Sequence, residues 1–358
     1  RKMTVAGMAC GAQILFGRVR VKAKALVCSE SQEFTLADVE LPEMGPTDLL
    51  IRTHFSGVSI GTEFALIRNK ISWGPYPLCT GYQGVGVVER VGRDVRGFAV
   101  GDKVYYRNSR GPFRMGGQAA SAVSGTHCSM AVTDATHATH GPDLLPEGVD
   151  EEVASTFVMP AVGYHGVDMA GVRLGDVVAV QGAGLIGLGV VAAAKLRGAV
   201  VIAIDLDERK LAVACRLGAD HVIQAGREEV EPALRAIAPQ GADVVFEATG
   251  VPALLDSAFA LCRPHGKFVF QGNYGAAPIS FRFLVPHGRQ ITAYFPCDDG
   301  YAPCRRAVMH LLASGALKWG ETITHRVAAR DAPALYSHIN RSSHDTDVLG
   351  AVIRWDDL

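Results

Sequence analysis

The chain has 358 residues, 48% of them hydrophobic, and 35 Lys plus Arg stand against 36 Asp plus Glu. A chain of this size buries a large core and predicts two domains rather than one. Its near-zero net charge offers no field for nucleic acid, and no apolar stretch reaches the roughly 18 uncharged residues that a spanning helix needs, so neither nucleic acid nor membrane is expected as a partner. Eight cysteines, at 10, 28, 79, 128, 215, 262, 297 and 304, are scattered without a short repeat. That pattern suits a reducing, cytoplasmic setting better than a disulfide framework.

In chain order, residues 1–22 read as a poorly ordered extension. An apolar stretch follows two basic residues there, but Gly7, Cys10, Gly11 and Gln13 interrupt it and no small-residue cleavage site follows, which argues against a secretory signal. Residues 23–157 predict a compact, mostly antiparallel β domain, with short strands at Ala23–Cys28, Phe34–Glu40, Asp48–Ser56, Gly84–Val91 and Lys103–Arg107 separated by Gly and Pro turns. From 158 to 297 strands alternate with helices: Val177–Gln181, Val200–Asp205, His221–Ile223, Val244–Glu247, Lys267–Gln271 and Gln290–Phe295 are the strands. Repeated βα units predict a doubly wound parallel sheet covered on both faces. Residues 298–358 leave that rhythm, with a helix near Cys304–Ser314 and a last strand, Val348–Trp355, that returns to the first domain.

Within the second domain, residues 178–187 read VAVQGAGLIG: an apolar strand runs into Gly182, Gly184 and Gly187, and Asp205 closes the next strand 18 positions later. The first glycine permits a tight turn, the second lets the backbone approach a pyrophosphate, and the third lets the helix pack on the strand. The pyrophosphate would rest on the helix N-terminal amides, at Leu185 and Ile186. A carboxylate at Asp205 accepts hydrogen bonds from ribose hydroxyls and repels a 2′-phosphate, which favours NAD over NADP. Lys210, Thr249 and Gly272 complete the expected cofactor contacts.

The order of parts from Ala23 to Trp355 resembles the medium-chain dehydrogenase/reductase superfamily. The matches are residues 42–52 (PEMGPTDLLIR), 81–92 (GYQGVGVVERVG), the turn 101–104 (GDKV), 217–220 (LGAD) and 323–325 (ITH). The resemblance implies a GroES-like β domain beside a Rossmann domain, with a small-molecule substrate in the cleft between them. It further implies a homodimer or homotetramer, for which Gln290–Phe295 is a candidate edge. Residues 61–63 (GTE), Tyr82 in place of a family histidine, 280–283 (SFRF) and Trp355 are most similar to the branch containing bacteriochlorophyllide dehydrogenase, which oxidises a secondary hydroxyethyl group.

Many members of that superfamily hold a catalytic zinc with a Cys from the first domain, a His from a Gly-His-Glu segment, and a Cys or acid just before the Rossmann domain. The matching positions here are Ser59, Tyr82 and about Val158, none of which suits tetrahedral zinc. The family's four-cysteine structural lobe has no counterpart in 106–125. No metal is therefore expected; His127, His137 and His140 have neither helical spacing nor suitable surroundings for a replacement site. Hydrogen-bond donors and a proton relay must then do what the cation does in the metal enzymes. Tyr82 is expected to donate to a substrate oxygen, Ser59 and Thr62 to relay or orient, and Glu63 or His165 to handle the proton. The segment 108–122 is expected to cover the pocket.

Four functions remain open on the sequence. The first is a zinc-independent, NAD-dependent dehydrogenase (EC 1.1.1 class) of a secondary alcohol or ketone such as a polyol, cyclitol or sugar derivative. The others are a reductase of activated double bonds, a redox-neutral isomerase or lyase using tightly bound NAD, and an NAD sensor without chemistry.

Overall fold

Short extended segments separated by turns organise the first part of the chain into strands. The computed structural model describes residues 20–68, 73–342 and 347–357, so most of the expected N-terminal extension lies outside the described residues. Strands Lys22–Cys28, Phe34–Glu40, Asp48–Val58, Gly84–Val91 and Lys103–Tyr106 form where they were expected. Five more, Leu78–Cys79, Phe113–Met115, Gln118–Ala122, Met130–Asp134 and Asp143–Leu144, were not anticipated. At two to five residues they are too short to show a period. Residues 108–122, expected as a lobe over the pocket, instead supply the hairpin Phe113–Met115/Gln118–Ala122, which completes a closed barrel with the first two strands and Leu78–Cys79. Phe113 is fully buried there.

The second domain holds a six-stranded parallel sheet in the order His221–Gln224, Val200–Asp205, Val177–Gln181, Ala242–Glu247, Cys262–Phe270, Thr292–Tyr294. Successive residues of each central strand enter opposite cores. Val178, Val180, Val201, Ala203, Val244 and Phe246 pack on one face, and Ala179, Ile202, Ile204 and Val245 on the other. A strand buried on both faces carries the continuous apolar run seen in the sequence. Strand order reverses between Val177–Gln181 and Ala242–Glu247, and ligands of such sheets bind outside the strand carboxyl ends at that switch point.

The C-terminal segment binds the two parts together. Helix Tyr301–Ala313 packs against helix Val158–Ala170, which leads into the parallel sheet. Strand Gly350–Arg354 pairs antiparallel with Asp48–Val58 and parallel with Ile323–Ala328, so the chain ends inside the first domain's sheet. Strand Ile323–Ala328 and helix Ala332–Ser342 were missing from the sequence reading.

Candidate active site

Two sets of residues carry the candidate chemistry, one in each domain, and Tyr82 of the first packs on the same core cluster as Leu185 and Ile186 of the second. On the sheet side, Gly182 has a φ of +99°, which L side chains rarely adopt. A Cβ on Gly187 would lie 1.8 Å from the Gly182 carbonyl oxygen, so the helix Leu185–Leu196 approaches its strand only because that side chain is missing. Gly184 caps the helix, and a Cβ there would meet nothing within 4 Å, leaving open space where a pyrophosphate would approach. Leu185 and Ile186 form the first helical turn. Asp205 accepts the Ala183 N–H at 2.7 Å and the Asp207 N–H at 2.9 Å, tying the end of the second strand to the glycine turn. Arg209 donates to Asp207 through Nε at 3.0 Å and Nη2 at 2.8 Å, so this cation is already engaged by a carboxylate. Lys210 follows it on helix Glu208–Arg216, and Thr249 and Gly272 lie at the ends of neighbouring strands.

The sequence reading missed two glutamines here. Gln181 Oε1 and Gln271 Oε1 are buried without a hydrogen-bond partner, at the carboxyl ends of their strands. Burying such groups unpaired is costly, and a ligand supplying a donor at the Gln181 strand end would relieve that one, whereas the Gln271 amide lies against Gly166 and Val162 of helix Val158–Ala170. The open glycine turn with Gln181 at its base makes the cradle fit a dinucleotide.

On the β-domain side the structure brings Tyr82, Ser59 and Thr62 together. The Tyr82 hydroxyl donates to Ser59 Oγ at 2.5 Å, and the Thr62 side chain lies near enough to the phenol to favour its ionised form. Thr62 is exposed at the start of helix Thr62–Ile67, Tyr82 is half-buried, and Ser59 is buried. Burial pushes the Tyr82 phenol up to about 12; the Ser59 hydrogen bond, the Thr62 side chain and the Arg107 charge oppose the rise, while Glu63 adds to it.

Glu63 lies beneath this trio rather than in the cleft, with 1% of its surface exposed. Its Oε1 accepts the Ser59 N–H at 2.8 Å; its Oε2 accepts Thr80 Oγ1 at 2.8 Å and the Tyr336 hydroxyl at 2.7 Å. His127 Nε2 is 3.0 Å from the same Oε2, and the network continues through His127 Nδ1 to Ser56 Oγ and the Trp355 indole. Burial alone would raise the carboxyl, but His127, Ser59 and Tyr336 outweigh it and hold Glu63 below the usual glutamate value. An ionised carboxylate with both oxygens engaged is a strut for Ser59, not a free base, which corrects the expected proton-handling role.

His165 stands elsewhere. It lies on helix Val158–Ala170 against Gly300, at the start of the next packed helix. No hydrogen bond joins it to Tyr82 or Ser59 among the described contacts, so the trio forms without it.

The donor set does not fit zinc. Ser59 and Tyr82 offer neutral hydroxyls already bonded to each other, and Val158 has no ligating side chain, its N–H donating to Gln83 Oε1 at 2.9 Å. Among the described residues no group of three or more His, Cys, Asp or Glu is arranged to hold a metal ion. His127 belongs to the buried network, whereas the His137 and His140 rings are 5.5 Å apart at another site.

Comparison with known proteins agrees with this architecture. Residues 45–143 match the family model described as alcohol dehydrogenase GroES-like domain, and residues 186–314 match that described as zinc-binding dehydrogenase. The chain is 28% identical over 353 residues to an alcohol dehydrogenase of Cupriavidus necator, covering 87% of this chain and 94% of that protein. It is 30% identical over 272 residues to an L-threonine 3-dehydrogenase of Aliivibrio fischeri, covering 70% and 77% respectively. The solved alcohol dehydrogenase from Thermus sp. ATN1 matches with a TM-score of 0.79 at 25% identity, covering 92% of this chain and 99% of that one.

Proposed function

The chain belongs to the medium-chain dehydrogenase/reductase superfamily, and from that premise we propose that it is a zinc-independent, NAD-dependent oxidoreductase of a secondary alcohol or ketone. The observation that carries the reading is the hydrogen bond between Tyr82 and Ser59, two positions where metal-dependent relatives would keep ligands, with the Thr62 hydroxyl beside it. Several hydroxyls suit a polar substrate such as a polyol or sugar derivative, because unpaired buried polar groups would be costly against an apolar ketone. The names of two relatives, an alcohol dehydrogenase and an L-threonine 3-dehydrogenase, support the same reaction class. The likeness to the bacteriochlorophyllide dehydrogenase branch supports the reaction type alone.

When bound, NAD supplies the hydride acceptor or, reduced, the hydride donor. The chain's own residues manage the proton. In reduction, the Tyr82 hydroxyl turns its proton from Ser59 Oγ to the substrate oxygen and transfers it while hydride reaches carbon, and the Ser59 hydroxyl then donates to the phenolate left behind. In oxidation the same oxygen, as phenolate, accepts the hydroxyl proton. A phenol pushed up to about 12 is protonated near neutrality, so reduction proceeds there and oxidation accelerates with rising pH. Asp205 would hold the adenosine ribose, and its charge disfavours a 2′-phosphate. The exposed edge strand Thr292–Tyr294, with Phe295 beside it also exposed, supports assembly as a homodimer or homotetramer.

Purified protein offered NAD or NADP with 2-propanol, 2,3-butanediol, sorbitol and L-threonine tests the reading. NAD reduction by at least one alcohol, with clear preference over NADP, is expected. Stronger NADP binding would overturn the cofactor assignment, and stoichiometric zinc required for turnover would overturn the metal-free site.

A further inference from the structure

Arg107 is an unexplained cost in the fold: a guanidinium with 11% of its side chain exposed, just after the strand Lys103–Tyr106. A charge so desolvated must be paired, and its Nη1 donates to Asp298 Oδ1 and Asp299 Oδ2, both at 2.7 Å. Those two carboxylates alone would satisfy it. Yet the side chain also donates from Nε to the Tyr82 carbonyl oxygen at 3.2 Å, and its guanidinium carbon lies 5.5 Å from the centre of the Tyr82 ring. One planar group thus grips the backbone and the ring of the same residue, which a lysine cannot do.

The anchoring carboxylates come from the other half of the molecule. Asp298 and Asp299 follow the edge strand Thr292–Tyr294 of the parallel sheet and precede helix Tyr301–Ala313. Asp298 also meets His140 Nε2 at 2.6 Å, and the fully buried Asp299 meets Arg305 at 3.3 Å. Arg107 therefore ties the phenol of the β domain to the segment leaving the cofactor domain.

We infer that Arg107 is a positioning residue for proton transfer: it fixes the ring of Tyr82 and supplies the positive charge that stabilises its phenolate, an inference that rests on the proton-transfer reading of Tyr82. The charged groups around the phenol divide clearly. Glu63 opposes ionisation from beneath and Arg107 favours it from the ring face, while Asp298, Asp299, His140 and Arg305 surround Arg107 rather than the phenol oxygen.

The test places a difluorotyrosine at position 82 of the full-length protein with NAD present, bringing ionisation into an accessible pH range, and follows it by fluorine NMR. Against the otherwise unchanged protein, R107Q is expected to raise the titration midpoint by about one unit. R107K, which keeps the charge but loses the fork, is expected to raise it by about half as much. If R107Q does not fold, the R107K displacement decides the matter alone. An unchanged midpoint in a folded variant would overturn the inference and leave Arg107 as an interdomain strut. Alcohol oxidation by Y82F in the natural background separates the two ideas: undiminished turnover there sinks the proton-transfer reading of Tyr82, whereas a slow Y82F with an unmoved R107Q midpoint sinks only the role of Arg107.

Discussion

Ser59 and Glu63 stand four residues apart and read alike as polar pocket residues, yet they belong to regions with opposite chemical prospects. Ser59 joins Tyr82 and Thr62 in a trio that reaches solvent through the exposed Thr62 and the half-buried Tyr82. Glu63 turns inward to Thr80, His127 and Tyr336, where every contact is buried. The difference teaches that residue type alone does not decide which group can move a proton. What decides is whether an oxygen retains an unmet hydrogen-bonding direction toward the substrate. The buried network spends all of its capacity on structure, and so holds still the strand end on which the trio is mounted.

Substitutions can break or sharpen that contrast. Y82F is expected to have the largest effect, lowering kcat by about 10²- to 10⁴-fold, with the urea midpoint nearly unchanged. Comparable losses of stability and rate would merge the two regions. E63Q is expected to do the reverse, costing about 3 kcal/mol in chemical denaturation because His127 and Tyr336 lose a buried charged partner, while kcat of the folded enzyme falls less than about tenfold.

The pH dependence of stability carries the same distinction. The Glu63 carboxyl is held below its unfolded value, so the stability it contributes is fully present above about pH 4.3 and is lost as pH falls through the folded value. An acid denaturation series should therefore be steeper for the parent than for E63Q; coincident slopes would show that the carboxylate is not stabilised by folding. Y336F removes one donor to that charge and is expected to cost about 1.5 kcal/mol with little change in KM. A selective rise in KM would instead place Tyr336 in contact with the substrate side.

Legibility in the sequence followed the distance over which each feature is built. The proposed cofactor cradle is local: three glycines within six positions specify a turn and a close approach, and an acid at the next strand end is the proposed ribose partner. Its central strands carry continuous apolar runs, and the regular alternation with helices marked the two short outer ones, so all six were recognised. The trio was partly legible because Ser59 and Thr62 are neighbours and Tyr82 stands in a recognisable segment. The buried network was not, because Tyr336 reaches Glu63 across 273 positions and Trp355 reaches Ser56 across 299. Nor was Arg107, whose anchor at Asp299 is 192 residues away. Leu78–Cys79 closes a barrel with only two residues, and no periodicity can announce a strand so short.

The central claim is that side chains, and not a metal, control the proton in this site. Its most direct test is the rate of NAD reduction by the best alcohol substrate after exhaustive dialysis of the full-length protein against a strong zinc chelator. The account predicts the same rate before and after dialysis, and no gain on adding zinc back. A rate that collapses on chelation and returns with one equivalent of zinc would contradict it.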